Sequence, residues 1–158
     1  MMTKHATITL PSDTEILIVR EFDAPRELLF EAMTTPEHMK HWYGPAQHEL
    51  VGCEIDLRIG GSYRYVTRLE QGGEIAFSGE FIEVDPPGRL VYTEVFEAVP
   101  GATSTVATTL DEQDGRTTLT VLAGYPAKSD RDAVLESGME SGMQESYDRL
   151  EALVATLG

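Results

Sequence analysis

Residues 117–157 read TTLTVLAGYPAKSDRDAVLESGMESGMQESYDRLEALVATL and pass from one periodicity to another. Leu119, Val121 and Ala123 alternate with Thr118, Thr120 and Leu122, the period of two expected of a strand with one face on a core. Beyond Pro126, the residues Leu135, Met139, Met143, Tyr147, Leu150, Val154 and Leu157 recur at steps of four and three, which is a single apolar helical stripe. Ser129 and Asp132 have capping-box spacing at its start. The pattern predicts one helix from about Asp130 to Leu157, roughly 40 Å long at 1.5 Å per residue. A helix of that length can cross a whole sheet.

Upstream, the sequence supplies that sheet. Runs at His48 to Ile59, Ser62 to Leu69, Glu74 to Val84, Arg89 to Phe96, Thr103 to Leu110 and Thr117 to Tyr125 are separated by Gly60-Gly61, Gly72-Gly73, Pro86-Pro87-Gly88, Pro100-Gly101 and Asp114-Gly115. Short turn-rich connections between consecutive strands imply antiparallel hairpins. Tyr63, Tyr65, Thr67 and Leu69 share one strand face, and Arg64 and Arg68 the other. Glu15 to Phe22 reads as a further strand, and Ala6 to Leu10 as an edge strand or loose N-terminal segment. Between them and the hairpins lie two short helices. Asp23 is a capping candidate for the first, with Pro25 in its first turn. Thr34 and Glu37 have capping-box spacing for the second, which Gly44-Pro45 stops after Trp42-Tyr43.

The expected architecture is α+β, a helix-grip fold. A curved antiparallel sheet of about six to seven strands wraps a long C-terminal helix, with residues 15–158 as the domain and 1–14 as an N-terminal segment. A chain of 158 residues can bury a core without disulfides. The single cysteine, Cys53, fits a reducing cytosol. It sits in an apolar run with no basic neighbour, so a buried inert thiol is the expectation. The residues MMTKHATITL lack a signal-peptide core, so the localisation expected is cytoplasmic. A formal charge of −15 argues against nucleic acid and anionic membrane partners.

Several motifs resemble the heat-shock-protein-90 ATPase activator homologue family of the START-like (Bet v-like, SRPBCC) helix-grip superfamily. They are Phe22-Asp23-Ala24-Pro25-Arg26-Glu27-Leu28-Leu29-Phe30, Thr35-Pro36-Glu37-His38 and Trp42-Tyr43-Gly44-Pro45. Asp56 to Gly61, Gly79-Glu80-Phe81, Asp85 to Thr93 and Asp148-Arg149-Leu150 follow in order. Two departures alter any pocket wall: Tyr43 stands where the family often has a second tryptophan, and Gly142-Met143 where it often has Gly-Trp. The resemblance implies a fold and a cavity, in a superfamily of ligand carriers, polyketide cyclases, resistance proteins and co-chaperone domains, so function must come from the site.

The candidate ligand-binding set is Trp42, Tyr43, Tyr63, Tyr65, Phe77, Phe81, Tyr92, Phe96, Met139, Met143 and Tyr147, converging between the sheet and the C-terminal helix; Tyr125 joins the same aromatic group. Tyrosines offer an apolar wall with a hydroxyl, and methionines adapt to shape; the plain alternative is core packing. Gly138 and Gly142 are read as a thinned helix face, beside which Trp42, Tyr43 and the Gly44-Pro45 turn sit as a gate. Glu80 and Glu94 lie on strands with apolar neighbours, and either could reach the interior as a general acid or base; the outward-facing reading is favoured, so no catalytic residue is assigned. His38, His41 and His48 do not complete a zinc set, and neither metal nor cofactor is expected. The expected function is binding of a small lipophilic or aromatic molecule by a monomer or homodimer. The alternatives are a cyclase- or hydrolase-like enzyme using pocket Glu, His or Tyr, and co-chaperone stimulation of a heat-shock-protein ATPase.

Overall fold

The computed structural model describes residues 4–158. Its elements in chain order are β1 (Thr7–Thr9), β2 (Glu15–Phe22), α1 (Arg26–Thr34), α2 (Pro36–Met39), β3 (Glu49–Ile55), β4 (Ser62–Arg68), β5 (Glu74–Asp85), β6 (Arg89–Phe96), β7 (Thr103–Gln113), β8 (Arg116–Gly124), α3 (Lys128–Glu136) and α4 (Met139–Leu157). All the strands form one antiparallel sheet in the order β1-β2-β8-β7-β6-β5-β4-β3. The strand from Ala6 is thus an edge strand, and the described sheet has eight strands where six or seven were expected. The hairpins from β3 to β8 follow from the glycine- and proline-rich turns. The only long crossing is from β2 to β3, through α1 and α2. Among the described residues no helix is long and apolar enough to cross a membrane.

Strand alternation decides which side chains meet the helices. On β2, Ile16, Ile18, Arg20 and Phe22 are buried, while Leu119 and Ala123 on β8 and Val106 and Leu110 on β7 lie beneath the same layer. Leu150 and Val154 of α4 close on the cluster of Phe22, Leu29, Leu119 and Trp42. A charged residue takes a core position on this face. Arg20 is 2% exposed, and its guanidinium reaches α4 with Nη1 to Glu151 Oε1 and Nη2 to Asp148 Oδ1, both 2.9 Å. Its carbon stem is spent on the core and its fork on carboxylates at the rim, which ties sheet to helix.

The C-terminal helix is not continuous. Gly138 has φ +83 and starts α4, while Ser137 ends α3 and its hydroxyl donates to the Val134 carbonyl. The apolar spacing runs through the break because Val134, Leu135, Met139 and Met143 all pack on one cluster with Ala6, Ile16 and Ile18. Ser129 is not the cap of α3, which starts at Lys128 without a side-chain cap; Asp132 pairs instead with Lys128 and Arg131. Asp23 likewise caps nothing and pairs with Lys4 and Arg116. The break predicts the sign of a substitution. Gly138→Ala is expected to lose about 1 kcal/mol in urea denaturation, because an alanine at positive φ is strained by about 1–2 kcal/mol. A continuous helix would instead gain about 1 kcal/mol from the same change.

Candidate functional site

The chain leaves β2 and crosses the open end of the sheet as α1 and α2, and the crossing roofs a cavity of about 100 Å³. Its floor comes from alternate residues of neighbouring strands: Ile55 of β3, Tyr63 and Tyr65 of β4, Phe81 of β5, Leu90, Tyr92 and Glu94 of β6, and Thr108 of β7. Its roof is Met33, Thr34, Met39, Trp42 and Tyr43.

Each roof residue has a local cause. Trp42 is 6% exposed and its indole Nε1–H donates to the Ala32 carbonyl at 2.9 Å. The residue four ahead of Ala32 in sequence is Pro36, which has no N–H to give. The indole therefore supplies the donor that the end of α1 lacks. The turn after Tyr43 lies against α4: Arg149 Nη1 donates to the Gly44 carbonyl at 2.6 Å, and Glu145 accepts the Ala46 N–H. A Cβ on Gly142 would lie 3.6 Å from the Pro45 ring. Trp42 is therefore a fixed wall and anchor, whereas Tyr43 is only half-buried at the rim.

The rings form a connected box. Tyr63 lies 4.9 Å from Tyr65, 5.5 Å from Phe81 and 5.6 Å from Tyr92, the last at 85°. Tyr43 stands 5.2 Å from Tyr65 and 5.9 Å from Trp42. The Tyr63 hydroxyl passes over Gly79 and donates to the Thr93 carbonyl at 2.6 Å. That carbonyl is free because the β5–β6 pairing skips Gly79 and Glu80. The Glu80 N–H donates to the Thr93 hydroxyl oxygen instead.

Glu94 stands beside this interruption. Its alternation with Leu90 and Tyr92 turns it inward, contrary to the outward reading, whereas Glu80 is exposed. Its carboxyl faces the cavity, and no hydrogen bond or counter-charge perturbs it; desolvation alone pushes it up from 4.5 to about 7. Desolvation first, and then the Glu94 charge, hold the phenols of Tyr43, Tyr63 and Tyr92 far above the usual tyrosine value. Burial also lifts the Cys53 thiol to about 11, which makes it an inert thiol.

The consequence for stability has a definite sign. Unfolded, Glu94 ionises near 4.5; folded, it holds its proton up to about 7. The native state binds more protons across this window, so this contribution falls as pH rises from about 4.5 to 7 and is flat above. The ceiling is about 3 kcal/mol. Glu94→Gln is therefore expected to gain stability relative to the wild type between pH 5 and pH 8 in paired urea titrations. An unchanged difference across that range would refute the desolvation account.

Five of the expected lining residues lie elsewhere. Phe77 and Phe96 stack on each other at 5.1 Å, further along β5 and β6. Met139 and Met143 join the cluster over β1 and β2. Tyr147 meets Phe22 edge-on at 6.0 Å. The cavity thus lies between the α1–α2 crossing and β3–β7, and the C-terminal helix contributes no lining residue. The reason is topological: α3 and α4 cover the β1, β2 and β8 side. Met33, Thr34, Met39, Ile55, Leu90 and Thr108 are lining residues that pattern reading missed. Glu94, on the strand face of Leu90 and Tyr92, takes the inward alternative rather than the favoured outward one. His41 is exposed and His48 half-buried, and neither lines the cavity. Among the described residues no group of three or more His, Cys, Asp and Glu side chains is placed to hold a metal ion.

The family model described as Activator of Hsp90 ATPase homolog 1-like protein matches residues 23–155. Among curated proteins none matches this sequence. Solved structures do. A Rhodobacter sphaeroides protein is 28% identical over 98% of this chain and 100% of its own, with a TM-score of 0.89. A Nitrosomonas europaea protein is 26% identical over 94% and 98%, with a TM-score of 0.84. A Mycobacterium smegmatis protein is 26% identical over 94% and 96%, with a TM-score of 0.83. These relatives repeat the same α+β helix-grip fold from end to end, and the chain belongs to the Activator of Hsp90 ATPase homolog 1-like family.

Proposed function

We propose that this protein binds a small, largely apolar or aromatic molecule in the cavity beneath the α1–α2 crossing. The observation that carries the reading is a cavity of about 100 Å³ lined by six aromatic residues and a single carboxyl. Ligand sites are commonly apolar with a few convergent polar groups. The volume restricts the ligand. Pockets for drug-sized molecules measure roughly 300–1,000 Å³, and an apolar cavity of about 150 Å³ takes benzene. The ligand is therefore a few heavy atoms up to one small ring, or larger if the crossing lifts. Ligand-observed NMR with a set of one-ring and branched aliphatic fragments tests this, using Leu90→Phe to narrow the space. Binding that is lost in the folded variant supports the reading. No binding at millimolar concentration, or binding indifferent to Leu90→Phe, overturns it.

Acid–base catalysis of a cyclase or hydrolase type is a second reading, favoured by one feature. Glu94 titrates near neutrality inside a tyrosine-lined space, where a general acid or base works best. Turnover of a bound fragment, abolished by Glu94→Gln, is its test. Stimulation of a heat-shock-protein ATPase rests on the family description alone, and an ATPase assay with the chaperone decides it.

A further inference from the structure

We infer that the ligand of this cavity is a small organic ammonium cation, its charge set against Glu94 and its alkyl groups against the faces of the tyrosine rings. The inference rests on the cavity-binding reading and names its ligand class.

The first ground is the carboxyl itself. Buried charges in folded proteins are paired, and a polar group left without a partner calls for an explanation. Glu94 is half-buried and opens on the cavity, and among the described residues its carboxyl makes no ion pair or side-chain hydrogen bond. A cation in that space completes the pair.

The second ground is the walls. Tyr63 and Tyr92 meet at 85°, and Trp42 and Tyr43 at 75°, so the rings lining the space stand in several orientations. Aromatic faces attract cations through the ring quadrupole, most strongly when desolvated, and aromatic cages are how alkylammonium groups are recognised. The lining contains no Lys, Arg or His, so it offers an anion no opposite charge, while Glu94 repels it. The chain's charge of −15 raises the local concentration of cations and repels anions.

The titratable groups that share the cavity with Glu94 are phenols, Tyr63 and Tyr65 of β4, Tyr92 of its own strand and Tyr43 of the roof, and its charge also reaches the phenols of Tyr125 and Tyr147 outside the lining. All are held protonated, so Glu94 is the one member of this set to change charge between pH 5 and 9. Cation binding requires it ionised, so affinity rises with pH up to about 7 and then levels.

The test titrates tetramethylammonium chloride and, separately, tert-butanol into the protein at constant ionic strength, following Trp42 fluorescence and the ligand methyl resonances. Tetramethylammonium is expected to bind at least tenfold more tightly than tert-butanol at pH 8.5, and about thirtyfold more weakly at pH 5.5 than at pH 8.5. Glu94→Gln, checked for fold by circular dichroism, is expected to erase both the preference and the pH dependence of tetramethylammonium binding while the variant still binds tert-butanol. Equal affinity for the two probes, or a cation preference that survives Glu94→Gln, overturns the inference and leaves the cavity-binding reading standing. Binding of neither probe overturns both.

Discussion

Gly79→Ala is expected to lower the stability of this protein by about 3 kcal/mol, near the upper end for overpacking, and its melting temperature by about 6–12 °C. A Cβ on Gly79 would stand 1.9 Å from the Thr93 carbonyl oxygen and 3.0 Å from the Tyr63 ring. The first contact is with backbone, so no rotamer change relieves it. Either β5 moves away from β6, or the Thr93 carbonyl turns and gives up the Tyr63 hydroxyl. Both routes disturb the wall beside Glu94. Gly101→Ala is the control, since a Cβ there meets nothing within 4 Å and the cost is expected within about 0.5 kcal/mol. Thermal denaturation of the two variants side by side is decisive. Similar melting temperatures would mean that the carbonyl does not occupy the space over Gly79.

Trp42→Ala is expected to cost about 3–5 kcal/mol, the range for emptying a buried aromatic site. Two losses combine: the ring leaves the cluster with Leu29, Phe81 and Leu150, and the Ala32 carbonyl loses its donor at the end of α1. Trp42→Phe separates them. It keeps a ring and removes the indole N–H, and the expected cost is about 1–2 kcal/mol. Urea denaturation followed by circular dichroism reads both, since Trp42 is the only tryptophan. A Trp42→Phe variant as stable as the wild type would show that water serves the Ala32 carbonyl equally well. A gate that swings on Trp42 would predict the opposite balance, with ligand exchange altered more than stability. The indole's hydrogen bond and burial place the weight on anchoring.

The interruption at Gly79 also shows how a defect in the sheet shapes the site. A regular ladder would consume the Thr93 carbonyl in pairing with β5. Because the pairing skips Gly79 and Glu80, the carbonyl is free to fix the Tyr63 hydroxyl, and Tyr63 in turn touches Tyr65, Phe81 and Tyr92. One glycine thus orients the central ring of the box. An isolated glycine inside a strand pattern is the usual mark of such a close approach, and Gly79 carried that mark in the sequence.

The sequence by itself determined most of the elements and their order, because those depend on neighbours a few residues apart. Gly60-Gly61, Gly72-Gly73 and Asp114-Gly115 turn the chain whatever lies across from them, and alternation such as Tyr63, Tyr65 and Thr67 defines a face wherever the strand goes. Tertiary structure decided what depends on partners far along the chain. The faces of β6 are set by register against β5 and β7, so Glu94 points inward only because Leu90 and Tyr92 do. The break at Gly138 was hidden because residues on both sides of it pack on one cluster, so their spacing kept the helical period. The cavity's place was decided by where the α1–α2 crossing comes to rest, under the hold of the Trp42 indole on Ala32 and of Arg149 on Gly44. Those are contacts 10 and 105 residues apart in sequence, and no local pattern records them.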